Sequence, residues 1–431
     1  LFVLNGKTQE VEILTLEDCL RIGIDNNLSL EGKRKEIQKS KYGVSENRSK
    51  LLPQITVIAG YNNNFDPPVS VTDGSSYGVP YNITKTLQHT ANAGLEMQMP
   101  LFNQTLYTSM SIAKVMEEIS RLSYGKARED IIMQISKMYY LGQVTAEQIV
   151  LIKANITRLE ELRDITQAFF DNGMSMEVDL KRVNINLENL KVQYDNAQAM
   201  MKQQLNMLKY IMDYPAEKEF VLTPVNTDSI TTVALTGLSE NIYELQLSQS
   251  QVQLAEKQKK IISNGYIPSL SLTGSWRYAA YTDKGYHWFH SGPSNHWFRS
   301  YGLGLTLRIP IFDGLDKTYK IKKAMIDIEN SKLAWENARK SLQTQYLNAV
   351  NDLMNNQRNF KKQKDNYLLA EDVYTVTSDR YREGIASMTE VLQDEMQMSE
   401  AQNNYISAHY NYRITNLMLL KLTGQIESLV K

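Results

Sequence analysis

The chain has 431 residues, 42% hydrophobic and 22% charged, with 47 basic against 48 acidic side chains and a net charge of -1. That balance excludes an electrostatic nucleic-acid binder, which needs a basic excess, and the single cysteine, Cys19, excludes an intrachain disulfide framework and a cysteine-rich zinc site. A membrane-spanning helix needs a run of about 18 or more apolar residues, and the chain contains none.

Taken in chain order, Leu1 to Leu4 form an apolar stub consistent with the tail of a removed export signal, although no charged region or full apolar core accompanies it. Cys19 sits in the acidic helical context Leu16-Glu-Asp-Cys-Leu20 and reads as a small buried core residue, not a lipid-modified one. A helix from Leu16 to Lys50, broken near Asp25-Asn26-Asn27, leads into strands at about 54–65 and 90–101, a long helix at about 103–169 and a return helix at about 176–212. A link at 214–236, holding Pro215 and Pro224, joins this to a second series. That series has a helix from Leu238 to Asn264, strands at about 267–281 and 297–311, a long helix at about 313–380 and a return helix at about 388–422. Similar landmarks recur in the same order about 211 residues later, as Gly173 against Gly384 illustrates. Leu51-Leu-Pro-Gln-Ile55 answers to Tyr266-Ile-Pro-Ser-Leu270, Met99-Pro-Leu-Phe-Asn103 to Ile309-Pro-Ile-Phe-Asp313, and Phe170-Asp-Asn-Gly173 to Tyr381-Arg-Glu-Gly384. The expected organisation is therefore two structural repeats, 1–213 and 237–431, about the link.

The strands alternate with a period of two. Ala91, Ala93, Leu95, Met97, Met99 and Leu101 face one way and Asn92, Gly94, Glu96, Gln98 and Pro100 the other. Leu270, Leu272, Trp276 and Tyr278 oppose Ser269, Ser271, Thr273, Ser275 and Arg277, and Tyr301 through Ile311 at odd positions oppose Ser300, Gly302, Gly304, Thr306 and Arg308. A soluble sandwich alternates in the same way. Three features favour a membrane sheet instead. The segments have the length of about 9 to 11 residues that a tilted strand needs to cross a bilayer. Aromatics gather at the loop-side ends, Tyr61, Phe65, Tyr77 and Tyr81, then Tyr278, Tyr281, Tyr286, Trp288, Phe289, Trp297 and Tyr301, as an interfacial girdle requires. Finally, four strands cannot close a barrel, and a sheet in lipid cannot leave an edge unpaired, so several chains must share one.

No proline interrupts 104–169 or 314–380, and at about 1.5 Å per residue each long helix is a rod of about 100 Å. The return helix keeps a coiled-coil stripe through Leu180, Val183, Leu187, Leu190, Tyr194, Ala197, Met201, Leu208 and Ile211, with Gln204 its one polar member.

With strand pairs, long helical hairpins and a duplicated order in hand, the chain resembles the TolC-type outer-membrane efflux and secretion channels over nearly its whole length. The residues carrying the resemblance are Leu52-Pro53, Met99-Pro-Leu-Phe102, Ile309-Pro-Ile-Phe312, the turn glycines Gly173 and Gly384, and Tyr410-Asn-Tyr-Arg-Ile414 through Leu422-Thr-Gly424. The resemblance implies a mainly α fold with a small transmembrane β part. It implies a homotrimer in which four strands per chain close a shared 12-stranded β-barrel in outer-membrane lipid, continued through the periplasm by an α-helical barrel. It also implies the exit duct of a tripartite efflux or type I secretion system in a Gram-negative outer membrane. Such a duct is passive and is opened at its periplasmic tip by a periplasmic adaptor and an inner-membrane transporter, with no nucleic acid and no cofactor.

Site residues follow. A polar lumen would be lined by Asn92, Glu96, Gln98, Thr273, Ser275, Arg277, Ser300 and Thr306. The family closes its tunnel with acidic rings near the tips, which places Glu390 and Asp394, and in the first repeat Glu177 and Asp179, at the constriction. Acidic residues in a helix's first turn also serve the macrodipole, and that reading stays open here. Two family positions depart: Gln393 stands where relatives carry a second aspartate, and Ala386 where they carry a latch arginine. The tips Asn172-Gly173 and Glu383-Gly384 match the adaptor-docking turns.

Nothing in the sequence argues for an enzyme. No phosphate loop, His-Glu-x2-His or nucleophile elbow occurs. His287, His290 and His296 are spaced too loosely to read as a metal site and are taken as solvated loop histidines. The competing reading is a periplasmic coiled-coil scaffold or adaptor without a membrane barrel.

Overall fold

The computed structural model describes residues 12–85, 87–224, 237–282 and 297–430. In chain order these form β1 (Glu12–Leu14), α1 (Leu16–Asn26), α2 (Leu28–Ser49), β2 (Gln54–Asn63), β3 (Val69–Asp73), β4 (Tyr81–Lys85), β5 (His89–Phe102), α3 (Gln104–Asp171) and α4 (Glu177–Met212). They continue with β6 (Phe220–Leu222), α5 (Tyr243–Asn264), β7 (Ser269–Thr282), β8 (Trp297–Arg308), α6 (Asp316–Arg382) and α7 (Met388–Leu422). The expected N-terminal stub, the link residues 225–236, the aromatics Tyr286, Trp288 and Phe289 and the histidines His287, His290 and His296 lie outside the described residues.

Contacts divide the chain into two units, one of residues 1–37, 120–249 and 333–431, the other of 38–119 and 250–332. The first is helical. Thr15 and Asp18 open α1 with a reciprocal capping box, Asp18 N donating to Thr15 Oγ1 at 3.2 Å and Thr15 N to Asp18 Oδ2 at 3.1 Å. The expected break falls at Asn27, whose Oδ1 accepts from the amides of Ser29 (2.9 Å) and Leu30 (3.1 Å) to start α2, while its Nδ2 donates to the Ile211 carbonyl at 2.8 Å. One apolar core gathers Cys19, Leu20, Leu30, Ile132, Ile135, Leu208, Met212, Leu417 and Leu419. Burial pushes the Cys19 thiol up to about 12, so it packs as an uncharged side chain. A second core joins Leu159, Leu162, Val183, Leu187, Val391 and Met398. The stripe read from α4 is buried at Val183, Leu187, Leu190, Ala197, Leu208 and Ile211, and Gln204 is buried with it.

The first unit also contains a strand pair that alternation did not reveal. β1 and β6 run parallel, with Glu12 opposite Phe220 and Leu14 opposite Leu222. Part of the expected link is thus a strand: Phe220 and Leu222 point into the core, and Val221 points out.

The second unit holds a four-stranded antiparallel sheet in the order β2-β5-β7-β8. Two departures from the sequence pattern fall at prolines, which lack the amide a ladder uses. β8 stops at Arg308, so Ile309 and Ile311 leave the ladder before and after Pro310, and the β5–β7 register shifts between Pro100 and Phe102. The chain has more than four strands, because β3 and β4 form a separate hairpin in which Val71 faces Ile83 and Thr72 faces Asn82.

Glu129 on α3 is only 4% exposed, and burial pushes its carboxyl up to about 7; Lys421 opposes this, while Glu427 and Asp130 add to it. The folded chain therefore holds a proton that the unfolded chain releases near the ordinary carboxylate value, and stability falls as pH rises from there to about 7. Glu129→Gln should raise stability by about 1–3 kcal/mol at pH 8 and leave it unchanged near pH 4, measured by thermal melts at both pH values.

Candidate functional site

The register of the sheet assigns every side chain to one of two faces. Glu96 stands opposite Thr56 on β2 and Ser275 on β7, and Ser275 opposite Gly302 on β8; Gln98 stands opposite Gln54 and Thr273, and Thr273 opposite Gly304. Asn92 pairs with Ala279, Arg277 with Ser300 and Ser271 with Thr306. All eight polar residues named from the sequence therefore share one face, joined by Gln54 and Thr56, which alternation in β2 marks equally well. The other face carries Ile55, Val57, Leu95, Met97, Leu272, Trp276, Leu303, Leu305 and Leu307 in matching register.

Arg277 and Glu96 form an ion pair across β5 and β7 on the polar face. Gly94 makes the pair possible, since a Cβ there would stand 2.9 Å from Arg277 Cγ. The loop-side aromatics do not all share a face. Trp276 and Tyr278 pack edge to face on the apolar side, with ring centroids 5.3 Å apart, whereas Tyr281 and Phe298 meet on the polar side at 6.2 Å. Tyr281 thus lies on the opposite face from Trp276 and Tyr278, with which its place at the loop-side end of the strand grouped it.

The two helical hairpins end in the same motif. Gly173 (φ 73°) and Gly384 (φ 78°) occupy the left-handed region that favours glycine. In each turn one amide reaches back three residues, Gly173 to Phe170 and Gly384 to Tyr381, both at 2.9 Å, and the next reaches back five, Met174 to Phe169 and Ile385 to Arg380, both at 2.8 Å. Asn172, Gly173, Glu383 and Gly384 are all exposed, flanked by exposed Met174, Met176 and Ile385.

The acidic candidates are not equivalent. Glu390 is exposed, and its carboxylate turns back to accept from the Ser387 amide at 2.8 Å while Ser387 Oγ accepts from the Glu390 amide at 3.3 Å. These bonds to Ser387 hold its carboxyl below the usual carboxylate range. Asp394, one turn on, is half-buried. Glu177 is exposed and is held low by Lys181 at 2.8 Å. Asp179 contacts Arg182 at 3.3 Å, and the same guanidinium donates to Thr389 Oγ1 at 3.4 Å. Arg182 thereby joins the first turn of α4 to that of α7, beside Glu390. Arg382 adds a second tie, 3.3 Å from Glu161 on α3. Neither arginine was picked out from the sequence; the three-residue spacing of Asp179 and Arg182 is the one local signal available.

The family described as "Outer membrane efflux protein" matches residues 22–212 and 227–425 of this chain. The chain is 21% identical over 396 residues to the outer membrane protein TolC of Vibrio cholerae, covering 89% of this chain and 84% of that protein. Among solved structures it is similar to CusC, with a TM-score of 0.79 at 15% identity over 95% of this chain and 91% of that one. It is also similar to the outer membrane protein VceC from Vibrio cholerae, with a TM-score of 0.76 at 14% identity over 95% and 96% of the two chains.

A Cβ at Gly384 meets nothing within 4 Å, so Gly384→Ala isolates backbone strain from packing. The substitution should cost about 1 kcal/mol locally. Amide exchange across 381–388 should speed up about five-fold while the middle of α7 keeps its protection.

Proposed function

The chain belongs to the outer membrane efflux protein family, and on that premise we propose that it is the exit duct of a tripartite efflux or type I secretion system. It lies in the outer membrane of a Gram-negative bacterium and conducts passively. The observation that carries the reading is the sheet: four strands, one apolar and one polar face, with β2 and β8 as its outer strands. In hydrocarbon those edges need partners. β8 of one copy pairs with β2 of the next, and three copies close a 12-stranded barrel whose polar face lines the lumen. Exposure on the apolar face supports this over a soluble sandwich, since Leu303 (80%), Leu305 (66%) and Leu307 (60%) stand open in the single chain.

Conduction needs no catalytic group; its driving force comes from the inner-membrane transporter. A periplasmic adaptor engages the glycine tips through Asn172, Gly173, Glu383 and Gly384. Glu390, Asp394, Glu177 and Asp179 contribute the acidic lining of the tip, and three copies of each concentrate negative charge there and favour cations. Arg182 tempers this charge at Asp179 and acts as one of the ties that open when the adaptor binds.

Two substitutions on adjacent residues test the barrel. Leu305→Lys places a charge on the lipid face at a cost of about 2–4 kcal/mol and should abolish the heat-modifiable oligomer on gels, whereas Thr306→Lys should leave it intact. The tip is tested by Glu390→Gln, which removes the charge but keeps an acceptor for the Ser387 amide. In planar bilayers it should lower cation selectivity without loss of the trimer, and unchanged selectivity would remove Glu390 from the constriction.

A further inference from the structure

Arg158 on α3 stands between carboxylates from two other helices. Its Nη2 donates to Glu371 Oε1 on α6 at 2.7 Å. Its Nη1 donates to Asn155 Oδ1 at 2.9 Å and reaches Met398 Sδ on α7 at 3.4 Å. One turn before Met398 lies Glu395, only 5% exposed, whose Oε1 has no hydrogen-bond partner among the described residues. The Glu371 side chain, by contrast, is 30% open to solvent.

Among the described residues, Arg158 is the cation that acts on Glu395. α3 contributes Arg158, and α6 contributes Tyr374, which interacts with Ser378. α4 adds Val183 and Leu187 to the same core, and its charged Arg182 and Glu188 are exposed. Burial holds the Glu395 carboxyl above its ordinary value, and Arg158 pulls against it. Protonated, Glu395 costs the fold one unsatisfied acceptor. Ionised, it is a buried anion, which is tolerated only beside a cation. The guanidinium already touches Met398, one helical turn from Glu395. Water replaces Arg158 far more readily at Glu371 than at Glu395, which is 5% exposed with Oε1 buried, so the two carboxylates compete for Arg158 on unequal terms.

We propose that Arg158 is a two-position clamp: with Glu395 protonated it ties α3 to α6 through Glu371, and with Glu395 ionised it turns to α7 and releases α6. Because the folded state favours the protonated carboxyl, the clamp holds α6 at acid pH and lets it go as pH rises through the shifted value. That this release eases opening of the tip rests on the exit-duct reading; the helix movement does not.

The test uses the full chain with nitroxide labels at Thr157 on α3 and Asp372 on α6, both exposed, diluted with unlabelled chain so that each oligomer carries one labelled copy. Pulsed electron resonance should show the α3–α6 distance lengthening between pH 5 and pH 9. Glu395→Gln, which keeps the shape of the buried group, should hold the short distance throughout, and Glu371→Ala should give the long distance throughout. A parent distance that ignores pH, or a Glu395→Gln chain that responds as the parent does, overturns the clamp. Conductance of the same proteins in planar bilayers should rise with pH in the parent alone. Labels that move without any conductance would uphold the clamp and defeat the exit-duct reading.

Discussion

Inside a bilayer a backbone amide or carbonyl has no water to turn to, and each one left unpaired costs several kcal/mol. The rest of the β unit depends on this constraint. β5 and β7 are paired on both sides within one chain, while β2 and β8 are each paired on one side only. Register must therefore be secured in advance, because a slip of one residue would turn Leu303, Leu305 and Leu307 toward the polar side. Residue size helps to pin it. Gly94 gives Arg277 room to reach Glu96, and on the opposite face a Cβ at Gly274 would stand 3.3 Å from both Leu303 and Met97. Small and large residues thus interlock on both faces in one alignment.

The helices secure their alignment by polar pairs instead of size alone. Asn155 meets Gln402 at 2.7 Å, Tyr405 meets Glu147 at 3.0 Å, Asn356 meets Thr415 at 2.9 Å and Tyr381 meets Thr166 at 3.3 Å. Apolar residues would bury more favourably at such positions, but they would also accept neighbouring registers. Polar pairs match in one alignment only and can be exchanged for water when helices part.

Much of this was legible in the sequence because the informative periods are short. Ala91 to Leu101 and Ser300 to Leu307 alternate without ambiguity, and Gly173 and Gly384 each follow a long proline-free run at the point where a helix has to reverse. What escaped notice was either too short or too distant. Val69 and Val71 alternate with Ser70 and Thr72, but Pro67, Pro68, Gly74 and Gly78 around them read as loop. The pairing of Glu12–Leu14 with Phe220–Leu222 leaves no local trace at all. The same holds for the side-chain ties: the acidic residues of the tip were named from the family resemblance, whereas the reach of Arg182 to Thr389 and of Arg158 to Glu371 exists only once remote helices have packed. In the other direction, alternation runs on through Ile309 and Ile311, whereas the strand ends at Arg308, opposite the first residue of β7 and just before Pro310.

The small β1–β6 pair has a consequence for how the chain comes to be folded. A parallel pair between Glu12–Leu14 and Phe220–Leu222 cannot form until the second strand, which follows α4, has been made, so this contact is non-local and slow to close. Until then Leu14, which is 2% exposed in the finished fold, has no strand to lie beside. The first half alone therefore leaves an apolar strand end uncovered until Phe220–Leu222 is present to lie beside it.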